Sequence, residues 1–94
     1  MLNALEGHTT VGSHGRNGRQ AVTRLKKHQQ AYVVIEQNEQ LITDNEKEIL
    51  FLKGDALKDD ILLAAGIKRA KNLISALPDD ADNLFVVLSA RQLK

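Results

Sequence analysis

A glycine-rich turn, Gly12-Ser13-His14-Gly15-Arg16-Asn17-Gly18, runs directly into an amphipathic stretch, and one carboxylate, Glu36, closes the next apolar run eighteen residues after Gly18. Each of these features suits one part of a nucleotide. Turns of this kind use one glycine for a tight bend, a second so that the backbone can approach a pyrophosphate, and a third for close helix–strand packing. The helix start behind them offers unpaired N–H groups to the anion. Gly15 and Gly18 fit the second and third roles, and Ser13 stands where the first glycine belongs. If that position needs a positive φ, a side chain costs about 1 kcal/mol there and crowds the phosphates. At a strand end, Glu36 is suited to accept hydrogen bonds from ribose hydroxyls, which favours a free ribose and argues against NADP. Turn glycines also occur in ordinary loops and acids at any solvated strand end. The order turn, strand, acid is the informative signal.

Other chemistries are poorly supplied. Cysteine is absent, which removes disulfides, thiolate metal sites and cysteine nucleophiles together. The three histidines are scattered without metal-ligand spacing, and His14 is expected as a loop side chain. A net charge of +1 hides an asymmetry, because residues 1–31 set Arg16, Arg19, Arg24, Lys26 and Lys27 against Glu6 alone, whereas residues 32–94 carry eight basic and eleven acidic side chains. That basic first third attracts anions, but a pI of about 8.1 is mild for a nucleic-acid binder and no aromatics are interleaved to stack bases. No uninterrupted apolar run is longer than Leu84–Leu88, far short of the roughly 20 residues of a membrane span. Residues 1–7 lack the pattern of a signal peptide and read as a tail. A chain of 94 residues makes one small domain, here 8–94, which excludes a two-domain enzyme.

The elements that must position the turn and the acid alternate between two periods. Tyr32-Val33-Val34-Ile35 reads as a strand buried on both faces, as do Ile49-Leu50-Phe51-Leu52 and Asn72–Leu77. Between them, Gly18–Lys27 places Ala21, Val22 and Leu25 on one side, Asn38–Asn45 has only Leu41 and Ile42 as anchors, and Lys58–Ala65 turns Ile61, Leu62 and Ala65 inward. Gly66 sits where a left-handed helix stop belongs. Leu84–Leu88 suits a strand in isolation, yet it follows acidic Asp79-Asp80 and runs into Arg91 and Lys94, so it reads as helix. His8-Thr9-Thr10-Val11 has little hydrophobic mass and is taken as the first strand because the alternation requires one. The expected fold is α/β, a Rossmann-like parallel sheet of (βα)×4 with strand order 3-2-1-4.

Several motifs in this order carry a family resemblance: Gly15-Arg16-Asn17-Gly18-Arg19-Gln20, Val33-Val34-Ile35-Glu36, Gly54-Asp55-Ala56, Ala65-Gly66-Ile67, Asp79-Asp80-Ala81-Asp82-Asn83-Leu84 and Ala90-Arg91. From His8 to Lys94 the chain resembles the N-terminal nucleotide-binding half of RCK domains, also called TrkA-N domains, of potassium channels and of Trk and Ktr potassium-uptake regulators. The resemblance implies a cytoplasmic regulatory module at the inner face of the membrane, with NAD(H) or ATP/ADP as ligand and a potassium channel or transporter subunit as partner. It also implies a homo-oligomer in the full-length context and a chain truncated relative to a six-strand domain. By that resemblance Ser13, His14, Gly15, Asn17 and Gly18 form the phosphate turn, with Arg16 available for further phosphate charge. Glu36 holds the ribose, Asp55 and Ala56 line the adenine side, and Leu77 and Pro78 flank the middle of the ligand. Asp79, Asp80 and Asn83 cap the last helix and shape the rim.

Two other functions compete. A hydride-transferring oxidoreductase fragment would need a proton donor beside the nicotinamide, but the only Tyr, Tyr32, begins a buried strand and no segment remains for a substrate domain. A purely structural or oligomerising Rossmann fragment is the other. No catalytic residue, metal, nucleic-acid partner or direct membrane insertion is expected.

Overall fold

In the computed structural model, which describes residues 5–94, strands and helices alternate along the chain: β1 (Thr9–Gly12), α1 (Arg16–Lys27), β2 (Tyr32–Glu36), α2 (Glu39–Asn45), β3 (Phe51–Lys53), α3 (Asp59–Ala64), β4 (Asn72–Ser75) and α4 (Asp80–Leu93). All strand pairs are parallel, in the order β3-β2-β1-β4. The expected fold class and strand order are borne out, with element ends shifted by one to a few residues.

Sequence pattern explains the layers. Val33 and Ile35 join Leu62, Ala65, Val86 and Ala90 in one core cluster, beneath α3 and α4. Val34 joins Val11 and Val22 of α1 in a second. Successive side chains of a strand point to opposite faces, so β2 is apolar from Tyr32 to Ile35 because helices cover both its faces. Strand β1 is central and all four of its residues are buried, Thr9 and Thr10 included. Their branched Cβ atoms suit a pleated surface, while the Oγ1 of Thr10 has no hydrogen-bond partner among the described residues.

Helix ends follow local chemistry. Asn38 caps α2 by accepting from the Gln40 and Leu41 N–H groups, and Asp79 caps α4 by accepting from Ala81 and Asp82. Gly66 follows α3 with φ at 79°, the left-handed stop its position suggested. Ahead of β1, the Gly7 N–H donates to the Arg69 carbonyl and Arg69 Nε donates to the Leu5 carbonyl, which ties this stretch to the loop before β4. Helix α4 explains the ambiguous apolar run: Val86 and Ala90 face the core, while Leu84, Phe85 and Leu88 stay 60%, 52% and 49% exposed.

Register brings the strand ends to one edge. Gly12 lies opposite Ile35 on one side and Ser75 on the other, and Glu36 lies opposite Lys53. Order 3-2-1-4 reverses direction at β1, so a crevice opens beyond Gly12, where ligands settle in open α/β sheets.

Candidate functional site

Two contiguous clefts occupy that crevice. One, of about 480 Å³, is bounded by Glu36, Asn38, Asp55, Ala56, Leu77 and Pro78. The other, of about 350 Å³, is bounded by Arg16, Asn17, Ser75, Leu77, Pro78 and Asn83. Ser13 and Gly15 line both, so the glycine turn is the partition between them.

Helix α1 begins at this partition. Gly15 is its N-cap and provides no side-chain cap, and its first turn contains no acid. Its leading N–H groups therefore remain available to an anion, with Arg16 at the mouth. By contrast, α2 and α4 are closed by Asn38 and Asp79 and carry acids in their first turns.

Glu36 is buried at the floor of the larger cleft with a full set of donors. Its Oε1 accepts from the His14 N–H at 2.7 Å and from Ser13 Oγ at 3.3 Å. Its Oε2 accepts from the Gln37 and Asn38 N–H groups at 3.1 and 3.0 Å. The carboxylate thus braces the glycine turn against the start of the β2–α2 loop. Ser13 adopts φ of 110°, the conformation for which its position favours glycine. Gly18 fits the close-packing role, since a Cβ there would lie 1.9 Å from the Ser13 carbonyl oxygen.

On the far wall, Asp55 Oδ1 accepts from the Leu57 N–H at 2.9 Å, a turn bond rather than a helix cap. Asn83 ties down the loop after β4: its Oδ1 accepts from Ser75 Oγ at 2.6 Å and from the Leu77 N–H at 2.8 Å, and its Nδ2 donates to the Leu77 carbonyl at 3.0 Å. Leu77 and Pro78 are held over both clefts by this clasp. A separate groove of about 280 Å³ between the start of β4 and α4 is walled by Ile67, Leu73, Val87 and basic Arg91 and Lys94. It lies at the opposite end of the strands and has no carboxylate.

The family model for the TrkA-N domain matches residues 9–94. The chain belongs to the TrkA-N family. Among its relatives, Potassium channel protein 1 of Methanocaldococcus jannaschii is 35% identical over 95 residues, which cover 98% of this chain and 28% of the channel protein. The chain thus spans little more than a quarter of that relative's length. The crystal structure of the TrkA-N domain of inner membrane protein ybaL from Escherichia coli superposes with a TM-score of 0.87 at 26% identity, over 95% of this chain and 67% of that one. The GsuK channel bound to NAD gives a TM-score of 0.86 at 20% identity over 99% of this chain and 17% of that one. A GsuK structure bound to ADP gives 0.83 at 19% identity, over 99% and 25%. At those identities the GsuK likeness concerns the fold.

Within this TrkA-N domain, nine of the eleven residues expected at the site line the clefts: Ser13, Gly15, Arg16, Asn17, Glu36, Asp55, Ala56, Leu77 and Pro78. Gly18 packs beneath the turn instead. His14 lies in the loop between β1 and α1 as expected, but its side chain faces inward and lines neither cleft. It is buried, with its ring edge-on to Phe51 at 5.3 Å between centroids and 87° between planes. It contributes its backbone N–H to Glu36 and its ring to the core. Residues that sequence reasoning passed over are Asn38, Leu41, Gly54 and Ser75. Asn38, Gly54 and Ser75 lie at or just past the C-terminal end of a strand, whereas Leu41 lies in the first turn of α2.

Burial, and next to it the Arg19 charge, hold the His14 pKa below the usual imidazole value, with Glu36 pulling the other way. The ring therefore takes up its proton more readily in the unfolded chain, so its contribution to stability is whole above about pH 6.5 and is lost as pH falls toward the folded-state value. Urea midpoints should drop further for wild type than for His14→Phe between about pH 7.5 and pH 5. Parallel pH profiles would remove His14 as a source of acid sensitivity.

Proposed function

We propose that this TrkA-N domain is a nucleotide-sensing regulatory module that takes NAD(H) or ATP/ADP in the paired clefts and conveys occupancy to a potassium channel or transporter subunit at the cytoplasmic face of a membrane. The observation that carries the reading is the partition itself: a buried carboxylate on one side of the glycine turn and an uncapped helix start on the other. These residues fit such a ligand. Glu36 would meet the ribose, the first turn of α1 and Arg16 the phosphates, Asp55 and Ala56 the base, and Leu77 and Pro78 the middle of the ligand. That GsuK is seen with NAD and with ADP supports both ligand classes, and the M. jannaschii relative supports a potassium channel as the setting.

Regulation would act through population shift, with the bound state favouring one arrangement of an assembly. The exposed Leu84, Phe85 and Leu88 of α4 favour association, as a homo-oligomer in the full-length protein. The site reads as binding rather than catalytic: Tyr32, the only tyrosine, donates its hydroxyl to the Glu48 carbonyl at 3.4 Å, at the end of β2 away from the clefts. No helix among the described residues is long and apolar enough to cross a membrane, so the pore would lie in a separate segment or subunit.

Calorimetric titration with NADH, NAD, ATP and ADP tests the reading. At least one should bind below millimolar concentration; silence from all four rejects sensing by this chain.

A further inference from the structure

Glu36 has no free hydrogen-bonding position. A carboxylate offers about four lone-pair sites, and all four are taken, by the N–H groups of His14, Gln37 and Asn38 and by the hydroxyl of Ser13. Three of these donors are backbone groups, fixed by the turn and by the start of the β2–α2 loop. Only the Ser13 hydroxyl sits on a rotatable bond, and at 3.3 Å it is the longest of the four contacts.

We propose that Ser13 is a specificity-determining residue: its hydroxyl occupies the one position on Glu36 that a sugar hydroxyl can take, so the wild-type chain distinguishes ribose from deoxyribose poorly. This rests on the nucleotide reading above. The backbone of Ser13 cannot withdraw to make room, because its carbonyl oxygen is lodged against Gly18, where even a methyl group has no space. Release comes by side-chain rotation alone. A ribose hydroxyl arriving at Oε1 therefore exchanges one hydroxyl–carboxylate bond for another, with little net gain. Removing the Ser13 hydroxyl leaves the position open, and the same ribose hydroxyl then adds a charge-assisted bond that a deoxy sugar cannot make. Because Ser13 borders both clefts, a single side chain sets this preference for any ligand that crosses the turn.

The test titrates the 94-residue chain and its Ser13→Ala and Ser13→Gly variants with ADP, 2′-deoxy-ADP and 3′-deoxy-ADP. Wild type should bind all three within about threefold of one another, whereas Ser13→Ala should bind ADP about tenfold more tightly than wild type and about tenfold more tightly than one of the deoxy analogues. Ser13→Gly, which also relieves the positive φ, should reproduce the change in ratio, and it guards against a fold defect peculiar to the alanine variant. Identical ribose-to-deoxyribose ratios in all three proteins, with binding intact, overturn the role of Ser13 and leave the nucleotide reading standing. Failure of every nucleotide to bind every protein overturns the nucleotide reading and the role of Ser13 with it.

Discussion

Gly18→Ala is expected to destabilise the chain by about 3 kcal/mol, at the upper end for overpacking in a well-filled interior. The added Cβ would lie 1.9 Å from the Ser13 carbonyl oxygen and 2.9 Å from its carbonyl carbon. Both atoms are backbone, so no side chain can turn aside. Relief requires the start of α1 to back away from the turn, and that movement drags Val22 from its packing against Val11 and Val34. Gly15→Ala is the matched control. Gly15 has φ of −77°, and the nearest atom to an added Cβ is Ser13 Oγ at 3.8 Å. Its cost should stay within about 0.5 kcal/mol. Urea denaturation of the two variants decides the matter, and equal midpoints would refute the packing role given to Gly18.

Glu36→Gln carries the second large effect, a loss of about 2–3 kcal/mol. Whichever way the amide lies, one carboxylate oxygen becomes an NH₂ group that faces donors. Turned toward the glycine turn it confronts the His14 N–H; turned the other way it confronts Gln37 and Asn38. Ser13 can rotate to present its oxygen, but a backbone N–H cannot, so at least one buried donor stays unpaired. Asp55→Asn gives the contrast, because Oδ1 of Asp55 accepts only from the Leu57 N–H and an amide oxygen serves equally well. Thermal unfolding should separate the pair clearly. Similar losses in both would show that Glu36 does not brace the turn.

Much of the frame was legible because it rests on local rules. Tyr32–Ile35 is continuously apolar and β-branched, which only a strand covered on both faces explains, and Gly66 occupies a position where a left-handed residue ends a helix. The turn pattern raised a positive φ at Ser13 as a condition, and the structure meets it. What escaped depends on contacts between distant segments. His14 sits in a polar, glycine-rich stretch, and nothing nearby in sequence announces that Phe51 of β3 packs against its ring. Thr9 and Thr10 looked too light for a central strand, a place β1 takes only through its pairing with β2 and β4 on either side. Glu36 was readable as a strand-end acid, but its saturation was not, because two of its donors belong to a turn that only the fold brings alongside. Leu84–Leu88 reads equally as strand or helix when apolar residues lie on both sides of a helix, as they do on α4.

The pairing of β1 with β4 also sets a timetable. Strand β1 can find β2 after closing only the short loop that contains α1, but Thr9 meets Asn72 and Gly12 meets Ser75 only after α2, β3 and α3 have been laid down. Closing the longer loop costs more chain entropy. Leu77, Pro78 and Asn83 all lie beyond β4, so the crevice acquires its second wall only with that last and most distant pairing. In a chain made from its N-terminus, the glycine turn and Glu36 are in place well before Leu77 and Pro78, the residues that close the crevice over them.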